Sequence, residues 1–165
     1  MTENGFGVIF RGVMRLLIQR VSRALVLVEN RAMGQIGRGL VILAGFAKGD
    51  REQVISRMAE KCLNLRIFED EAGKMNLSVR DTGGGLLIVS QFTLYANCRK
   101  GRRPSFDRSM PPAEAERFYE LLLGKLADSG LDIQKGVFGA KMEIELTNDG
   151  PVTIMLDSDE LFESE

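Results

Sequence analysis

An α+β domain with curved, barrel-like β-sheets and two main helices is the fold class this sequence predicts. About eight segments carry strand patterning against two with helical periodicity. The two kinds do not alternate regularly, as a layered parallel sheet requires, and no segment repeats at a fixed period. A length of 165 residues suits a single domain, able to bury roughly two-thirds of its unfolded surface without a metal or disulfide staple.

Residues 1–13 hold a short apolar stretch, Val8 to Phe10, with Arg11 after it, the wrong order for an export signal. They read as a poorly ordered N-terminal extension, or as sequence upstream of a native start at Met14; the intact mass of the native protein decides. Leu16, Leu17 and Ile18, then residues 21–28 with Ala24, Val26 and Val28 alternating against Leu25 and Leu27, predict two buried strands bent at 20–23. Residues 34–39 form a glycine-rich turn, and 40–46, almost continuously apolar, a strand covered on both faces. Asp50 then caps a helix with Gln53 at its third position, whose buried face is Val54, Ile55, Met58, Ala59, Cys62 and Leu63.

Residues 65–68 are a short strand leading into the charged turn 69–74, where Gly73 supplies a positive backbone angle. The triplet Gly83-Gly84-Gly85 releases the chain into 86–94, the most apolar strand. Pro111 and Pro112 open the second helix, buried through Phe118, Leu121, Leu122 and Leu126 and stopped by Gly130. Met142, Ile144 and Leu146 alternate with Lys141, Glu143, Glu145 and Thr147, giving a strand with one wet face. A turn at Asn148-Asp149-Gly150 returns it into a last strand, 152–156. The single domain is thus 14–157, and 158–165 is an acidic, frayed tail.

Composition removes whole mechanisms. Histidine is absent, so Ser-His-Asp triads, Cys-His dyads and histidine zinc sites are unavailable. Two cysteines, Cys62 and Cys98, are too few for a disulfide framework or a four-cysteine zinc site; they suit a reducing cytosol, with Cys62 in the core. A net charge of -1, from 22 Lys plus Arg against 23 Asp plus Glu, sets up no global field for nucleic acid, so such binding needs a local patch. No apolar run approaches the ~18 residues of a membrane span, which argues for a soluble chain without a membrane partner.

Three places attract chemistry. In Ser90-Gln91-Phe92-Thr93-Leu94 an apolar strand turns polar at its end, with Ser90, Phe92 and Leu94 on one side by alternation and Gln91 and Thr93 on the other. Buried hydroxyls and amides there need partners or cost ~1–3 kcal/mol each, although Ser90 and Thr93 bonded to nearby backbone would satisfy the same pattern. The run from Arg99 to Arg108 carries five positive charges, at Arg99, Lys100, Arg102, Arg103 and Arg108, against one negative, Asp107. Arginine forks beside Phe106 suit phosphates and an unstacked base, and a solvated loop is the plain alternative. Gly150-Pro151 is an ordinary hairpin turn by pattern, with a cis bond the minority geometry. Gly83–Gly85 lacks the lysine of a phosphate loop, Glu69, Asp70 and Glu71 read as a surface turn rather than a metal site, and Glu114, Glu116 and Glu120 read as a wet helix face.

Taken together these segments closely resemble the D-aminoacyl-tRNA deacylase family. The resemblance runs from Met14 to about Asp157: the opening 14–21, Asn64-Leu65-Arg66-Ile67-Phe68-Glu69-Asp70 with Gly73-Lys74-Met75-Asn76, then Ser90 to Leu94. It continues through Lys100-Gly101-Arg102-Arg103-Pro104-Ser105-Phe106, Phe138-Gly139-Ala140 with Met142, and Asn148-Asp149-Gly150-Pro151-Val152-Thr153. The resemblance implies the fold of those deacylases and a cytoplasmic homodimer. Its activity would be hydrolysis of the ester joining a D-amino acid, or glycine, to the 3′-terminal ribose of tRNA, with no metal or cofactor. It also implies that Gly150-Pro151 is cis, overriding the pattern, and enters the partner subunit's site, where its carbonyls occupy the space of an L side chain.

An activated ester needs oriented water and a stabilised oxyanion more than a strong nucleophile, which makes sense of the missing histidine. The resemblance implies help from the substrate's 2′-hydroxyl, backbone groups around Ser90 to Thr93 holding the ester, and Gln91 and Phe92 shaping the amino-acid pocket. It places Phe138 and Met142 about the terminal adenosine and Arg99, Lys100, Arg102 and Arg103 on phosphates. Thr93 matches a position proposed as nucleophile; lacking a base, its hydroxyl suits positioning better. Asn97, where many relatives carry Asp, and Lys141, where an acidic or small residue is more usual, are departures that touch tRNA contact rather than chemistry. A non-catalytic RNA-binding module using the same basic loop is the alternative, and a hydrolase of free small esters, insensitive to salt, a third.

Overall fold

The computed structural model describes residues 11–162. Its spine is one long strand, β1 (Arg15–Val28). Along one edge it pairs antiparallel first with β3 (Gly39–Gly45) and then with β2 (Arg31–Ile36); along the other edge runs β8 (Glu143–Asp157), also antiparallel. From β3 the sheet continues in parallel through β6 (Gly85–Ser90) to β7 (Ile133–Lys135). The sheet curls until β2 meets β7: a Cβ added to Gly34 would lie 2.9 Å from the Lys135 carbonyl oxygen. The barrel-like, nearly closed α+β architecture agrees with the sequence expectation. A separate ribbon of β4 (Phe68–Glu69) and β5 (Met75–Leu77) flanks it.

Two helices, α1 (Glu52–Asn64) and α3 (Pro112–Ala127), cover one face of the sheet. Ile55, Met58 and Leu63 from α1 and Phe118, Tyr119 and Leu122 from α3 close over Leu16, Ile18, Leu40, Ile42, Leu86 and Ile88. Each such side chain contributes roughly 1.5–3 kcal/mol by leaving water. The alternate residues Val41 and Leu87 point to the other face, where with Val21, Val26 and Ile36 they form a second, smaller cluster. The buried, continuous reading of 40–46 is therefore correct. Two short helices complete the chain, α2 (Val79–Thr82), closed by a Ser78–Asp81 capping box, and α4 (Ser158–Phe162).

Several local expectations are corrected. The two bent strands at 16–28 are one strand, because Arg20 is buried and hydrogen-bonded instead of breaking it. The first turn falls at Glu29 and Asn30, both at positive φ (49° and 63°), as a two-residue hairpin demands, and of the supposed turn at 34–39, residues 34–36 belong to β2 and Gly39 to β3, which leaves only Gly37 and Arg38 as the turn. Asp50 does not cap α1. Arg51 precedes the helix, and Asp50 Oδ2 turns back to accept the Ala47 N–H at 2.7 Å.

The 65–68 strand is only Phe68–Glu69, while Gly73 takes its positive φ of 73° and Asp70 Oδ1 accepts the N–H groups of Ala72 and Lys74, holding that carboxyl below the usual range. The 86–94 strand ends at Ser90. After Gln91, residues Phe92–Tyr95 form a 3₁₀ helix, so alternation does not sort their side chains. On α3, Leu121 is 37% exposed and Tyr119 and Leu123 are buried instead.

No hairpin occurs at 148–150: both halves of β8 pair with β1, and the intervening residues form a bulge. The tail folds as far as Phe162, anchored by Ser158, whose Oγ accepts the Met14 N–H at 2.9 Å. Of the N-terminal segment only 11–13 is described; Val13 is buried and its carbonyl accepts the Tyr95 hydroxyl at 2.6 Å. Residues 1–10 and 163–165 lie outside the described residues.

Gly39 and Gly85 face each other across the parallel β3–β6 pair, and a Cβ on Gly39 would run into the Gly85 carbonyl oxygen. Backbone cannot yield as a flexible side chain does. Gly39→Ala is expected to cost about 3 kcal/mol or more in urea denaturation, and an unchanged midpoint would contradict the close approach.

Candidate functional site

Strands β3 and β6 are parallel and in register, with Ala44 opposite Ser90. Their carboxyl ends therefore stop side by side while the chain leaves each in a different direction, which opens a crevice as in other parallel sheets. Here the crevice is a cavity of about 490 Å³. Ala44, Phe46 and Ser90 line it from the strand ends, and Phe92, Phe106 and Phe138 from the loops beyond them. Among the described residues, Lys48 is the one charged residue on its wall.

The loop after the 3₁₀ helix is tied back on itself. Asn97 and Ser105 exchange backbone hydrogen bonds of 2.8 and 3.0 Å, and the Met110 N–H reaches the Phe46 carbonyl at 3.0 Å. Ser109 Oγ donates to the Phe92 carbonyl at 3.3 Å. These bonds bring Phe106 edge-on to Phe92, centroids 5.0 Å apart. Phe92 is 58% exposed, so this aromatic pair faces whatever enters. Across the cavity, Phe138 packs on Tyr119 at 5.9 Å, and Tyr119 donates its hydroxyl to the Ile88 carbonyl at 2.8 Å.

Of the residues singled out in the sequence, Ser90, Gln91, Phe92 and Phe138 meet at this cavity. Thr93 stands one step further along the 3₁₀ helix, its Oγ1 hydrogen-bonded to the Gln91 side-chain amide. An amide carries no basic nitrogen, so it cannot take the hydroxyl proton. Met142 is not on the wall; it packs against the second core cluster and leaves no room for a Cβ on Gly136, two residues before Phe138. Lys100, Arg102 and Arg103 are exposed on the loop, and Arg99 lines a neighbouring cavity.

Gly150 and Pro151 lie away from this wall, on the β8 bulge. Gln19 pairs with Thr153 and Val21 with Asn148, so Arg20 alone faces residues 149–152, three more than a regular ladder allows. The Gly150–Pro151 peptide bond is cis, and Gly150 has φ 142°. Arg20, only 5% exposed, donates from Nε to the Asp149 carbonyl at 2.8 Å and from Nη1 to the Ile67 carbonyl at 2.7 Å. Asn148 clasps the base of the bulge: its Oδ1 accepts the Val152 N–H at 2.7 Å, and its Nδ2 donates to the Val152 carbonyl at 3.1 Å.

Sequence reasoning missed Lys48, Ser109 and Arg20. Lys48 follows an apolar strand as Ser90-Gln91 does, and the parallel pairing of those strands was the missing signal. Arg20 carried no local sign, because its partners are carbonyls far along the chain. Asp50, misread as a cap, sits just past Lys48. Burial pushes its carboxyl up to about 7, with the Ala47 N–H opposing the shift and Asp159, Asp157 and Glu114 adding to it. The folded state therefore holds a proton that the unfolded state has lost above about 4. Stability is fullest below that pH and falls as pH rises through about 7. Asp50→Asn keeps the acceptor for Ala47. It is expected to be more stable than the parent by roughly 1–3 kcal/mol at pH 8 and equal to it near pH 4; the same offset at both would refute the assignment.

The family model for D-Tyr-tRNA(Tyr) deacylase matches residues 17–157. The D-aminoacyl-tRNA deacylase of Thermosipho africanus is 52% identical over 149 residues, spanning 90% of this chain and 100% of that protein. The Listeria monocytogenes protein of the same name is 52% identical over 148 residues, 90% of this chain and 98% of its own. Among solved structures, the c-Myc DNA unwinding element binding protein superposes with a TM-score of 0.81 at 43% identity, covering 86% of this chain and 97% of its own. A probable eukaryotic D-amino acid tRNA deacylase shares the fold, with a TM-score of 0.78 at 18% identity over 88% of this chain and 99% of its own.

Proposed function

The chain belongs to the D-Tyr-tRNA(Tyr) deacylase family, and from that premise we propose how its cavity and its β8 bulge divide the labour. The protein is a D-aminoacyl-tRNA deacylase, a hydrolase that releases a D-amino acid from tRNA. The ester sits in the cavity at the carboxyl ends of β3 and β6. Ser90, Gln91, Phe92 and Thr93 hold it there. Phe92 and Thr93 open the 3₁₀ helix ahead of its Leu94-to-Gln91 bond, so no carbonyl of the helix takes their N–H groups, which serve the developing oxyanion. Water is the nucleophile, helped by the substrate's 2′-hydroxyl. Thr93, bonded to an amide and not to a base, positions the ester without attacking it.

Chiral selection comes from the partner. The bulge of one subunit enters the cavity of the other, and the main-chain carbonyls of Gly150 and Pro151 fill the space an L side chain needs. Glycyl-tRNA, with no side chain to exclude, passes the same filter. The observation that carries this is the clasped bulge: an exposed loop off its own cavity wall, yet held from beneath by a buried arginine and an asparagine. For the homodimer, Met155, 43% exposed on the strand that carries the bulge, offers apolar surface to a partner.

Phe138 stacks on the terminal adenosine, with Met142 setting the turn beneath it, and Arg99, Lys100, Arg102 and Arg103 meet phosphates. A cytoplasmic site of action fits Cys62 and Cys98, both free thiols. Among the described residues no helix is long and apolar enough to cross a membrane. A second reading, a nucleic-acid-binding module without catalysis, is favoured by the name of the relative that is a DNA-element binding protein.

The test compares release of D-tyrosine and L-tyrosine from otherwise identical charged tRNA, with and without a chelator. Cleavage of the D form alone, indifferent to the chelator, is expected; binding without cleavage of either would favour the module. In the same assay Arg20→Ala, provided it folds, should narrow the D/L ratio of kcat/KM by roughly 10- to 100-fold, the size of a lost charge-assisted hydrogen bond or two. An unchanged ratio would separate the bulge from selectivity.

A further inference from the structure

The 3₁₀ helix Phe92–Tyr95 has a cavity at each end. Phe92 lines the apolar one already described, and Tyr95 lines a second of about 540 Å³. The return strand of the loop divides in the same way, with Phe106 and Ser109 on the first cavity and Arg108 on the second. The two spaces are thus separated by a single helix of about 8 Å, four residues at ~2.0 Å each.

The second cavity has the opposite chemistry. Arg15, Arg99 and Arg108 line it together with Tyr95, Asn97 and Cys98, and among the described residues no carboxylate does. Arg15 is committed, donating from Nε to Asp157 at 3.1 Å and from Nη1 to the Leu94 carbonyl at 2.9 Å while lying 5.3 Å from the centroid of the Tyr95 ring. Arg99 and Arg108 form no ion pair among the described residues, in a chain whose net charge is only -1. Their backbones are nonetheless fixed. The Arg99 N–H reaches Asn97 Oδ1 at 3.1 Å, and the Arg108 carbonyl accepts the Lys48 N–H at 2.9 Å, which links this cavity to the wall of the first. Two exposed guanidinium groups on a pinned frame, beside an aromatic ring and an amide, suit a group with several anionic oxygens.

We propose that this second cavity is a phosphate subsite, which takes the phosphodiester groups immediately 5′ of the terminal nucleoside whose ester occupies the first cavity. The inference rests on aminoacyl-tRNA being the substrate. It adds Arg108, Asn97 and Tyr95 to the contact surface and fixes the direction in which the acceptor strand leaves the site: past Tyr95, along the return strand of the basic loop. Free inorganic phosphate offers the same oxygens, so the test separates the two sources.

Two readouts on the full chain do this. The first compares D-tyrosyl-tRNA with 3′-O-D-tyrosyl-adenosine, which carries the ester and no phosphate. Arg108→Ala should lower the ratio of kcat/KM for the tRNA over the adenosine ester by roughly 10-fold, through KM, with Arg108→Lys recovering most of it. The salt slope of log kcat/KM on tRNA should flatten by about 0.7. Equal losses on both substrates, or none on either, would overturn the subsite.

The second readout is binding. Cys98 lines the cavity and is exposed, whereas Cys62 is buried and its thiol is pushed up to about 12, so iodoacetamide reports on Cys98 alone. Uncharged tRNA should slow that alkylation in the parent and much less in Arg108→Ala, while inorganic phosphate at the same phosphate concentration should not. Protection by inorganic phosphate as strong as by tRNA, or protection by neither, would overturn the proposal. If the parent cleaved neither ester but tRNA still shielded Cys98, the subsite would stand and the hydrolytic reading would fall.

Discussion

A buried arginine sits at the one place where the sheet changes partners. Up to Val21, β1 pairs with β3; from Ala24 onward it pairs with β2, and on its other edge β8 bulges between Asn148 and Thr153. Arg20 occupies that seam and spends its guanidinium on the carbonyls of Ile67 and Asp149. A charge at this depth is tolerated only when its donors are paired, and removing the side chain would strand two carbonyls as well. The strand stays continuous, the segment that leads into the β4–β5 ribbon is pinned to the barrel, and the extra residues of β8 are held out toward solvent. Each of those features looks independent in the sequence; one side chain couples them.

The second organising fact is that two parallel strands end together. Ala44 and Ser90 are neighbours in the β3–β6 ladder, and beyond them the chain has to part. The return of the loop to the carbonyls of Phe46 and Phe92, through the Met110 N–H and the Ser109 hydroxyl, roofs the gap with aromatic rings instead of closing it. The result is an apolar chamber with few polar groups at its base, which would suit the proposed ester, a group that needs orientation more than activation. The same loop carries its arginines on its other side. In the proposed function, ester and phosphates would be met by opposite faces of one short segment, which would account for a basic run directly following an apolar strand.

How much of this could be read from the sequence differs by kind of information. Period and apolarity gave the two main helices, the core strands and the α+β class, because those features are local. Order and spacing of motifs gave the family. What failed were features decided by which groups pair, near or far along the chain, and not by periodicity. The alternating reading of 86–94 broke at Ser90, where the Gln91 N–H bonds to the Ala44 carbonyl and the chain tightens into a 3₁₀ turn. The hairpin at 148–150 failed because Asn148 bonds to Val152 within the strand while both halves keep β1 as neighbour. Glu29, an unlikely residue at positive φ, hid the first true turn. Asp50 has the identity of a cap, but its carboxylate is taken by Ala47. In the site, Ser90 to Phe92 were legible as the polar turn at the end of an apolar strand and Phe138 through the family resemblance, whereas Lys48 and Arg20 became visible only once strands were paired.

The central claim is that a working site takes its cavity from one chain and its selectivity from another, and mixed dimers test it most directly. One chain would have its cavity blocked by Ala115→Phe; the other would lack residues 149–151, the three extra residues opposite Arg20. Alone, the first should be inactive and the second should cleave both D- and L-tyrosyl-tRNA. In mixed dimers the only open cavity faces an intact bulge, so cleavage of the L form should fall well below that of the deletion variant alone while the D form is still cleaved. L cleavage undiminished in the mixture would show that each chain filters for itself, and would contradict the account.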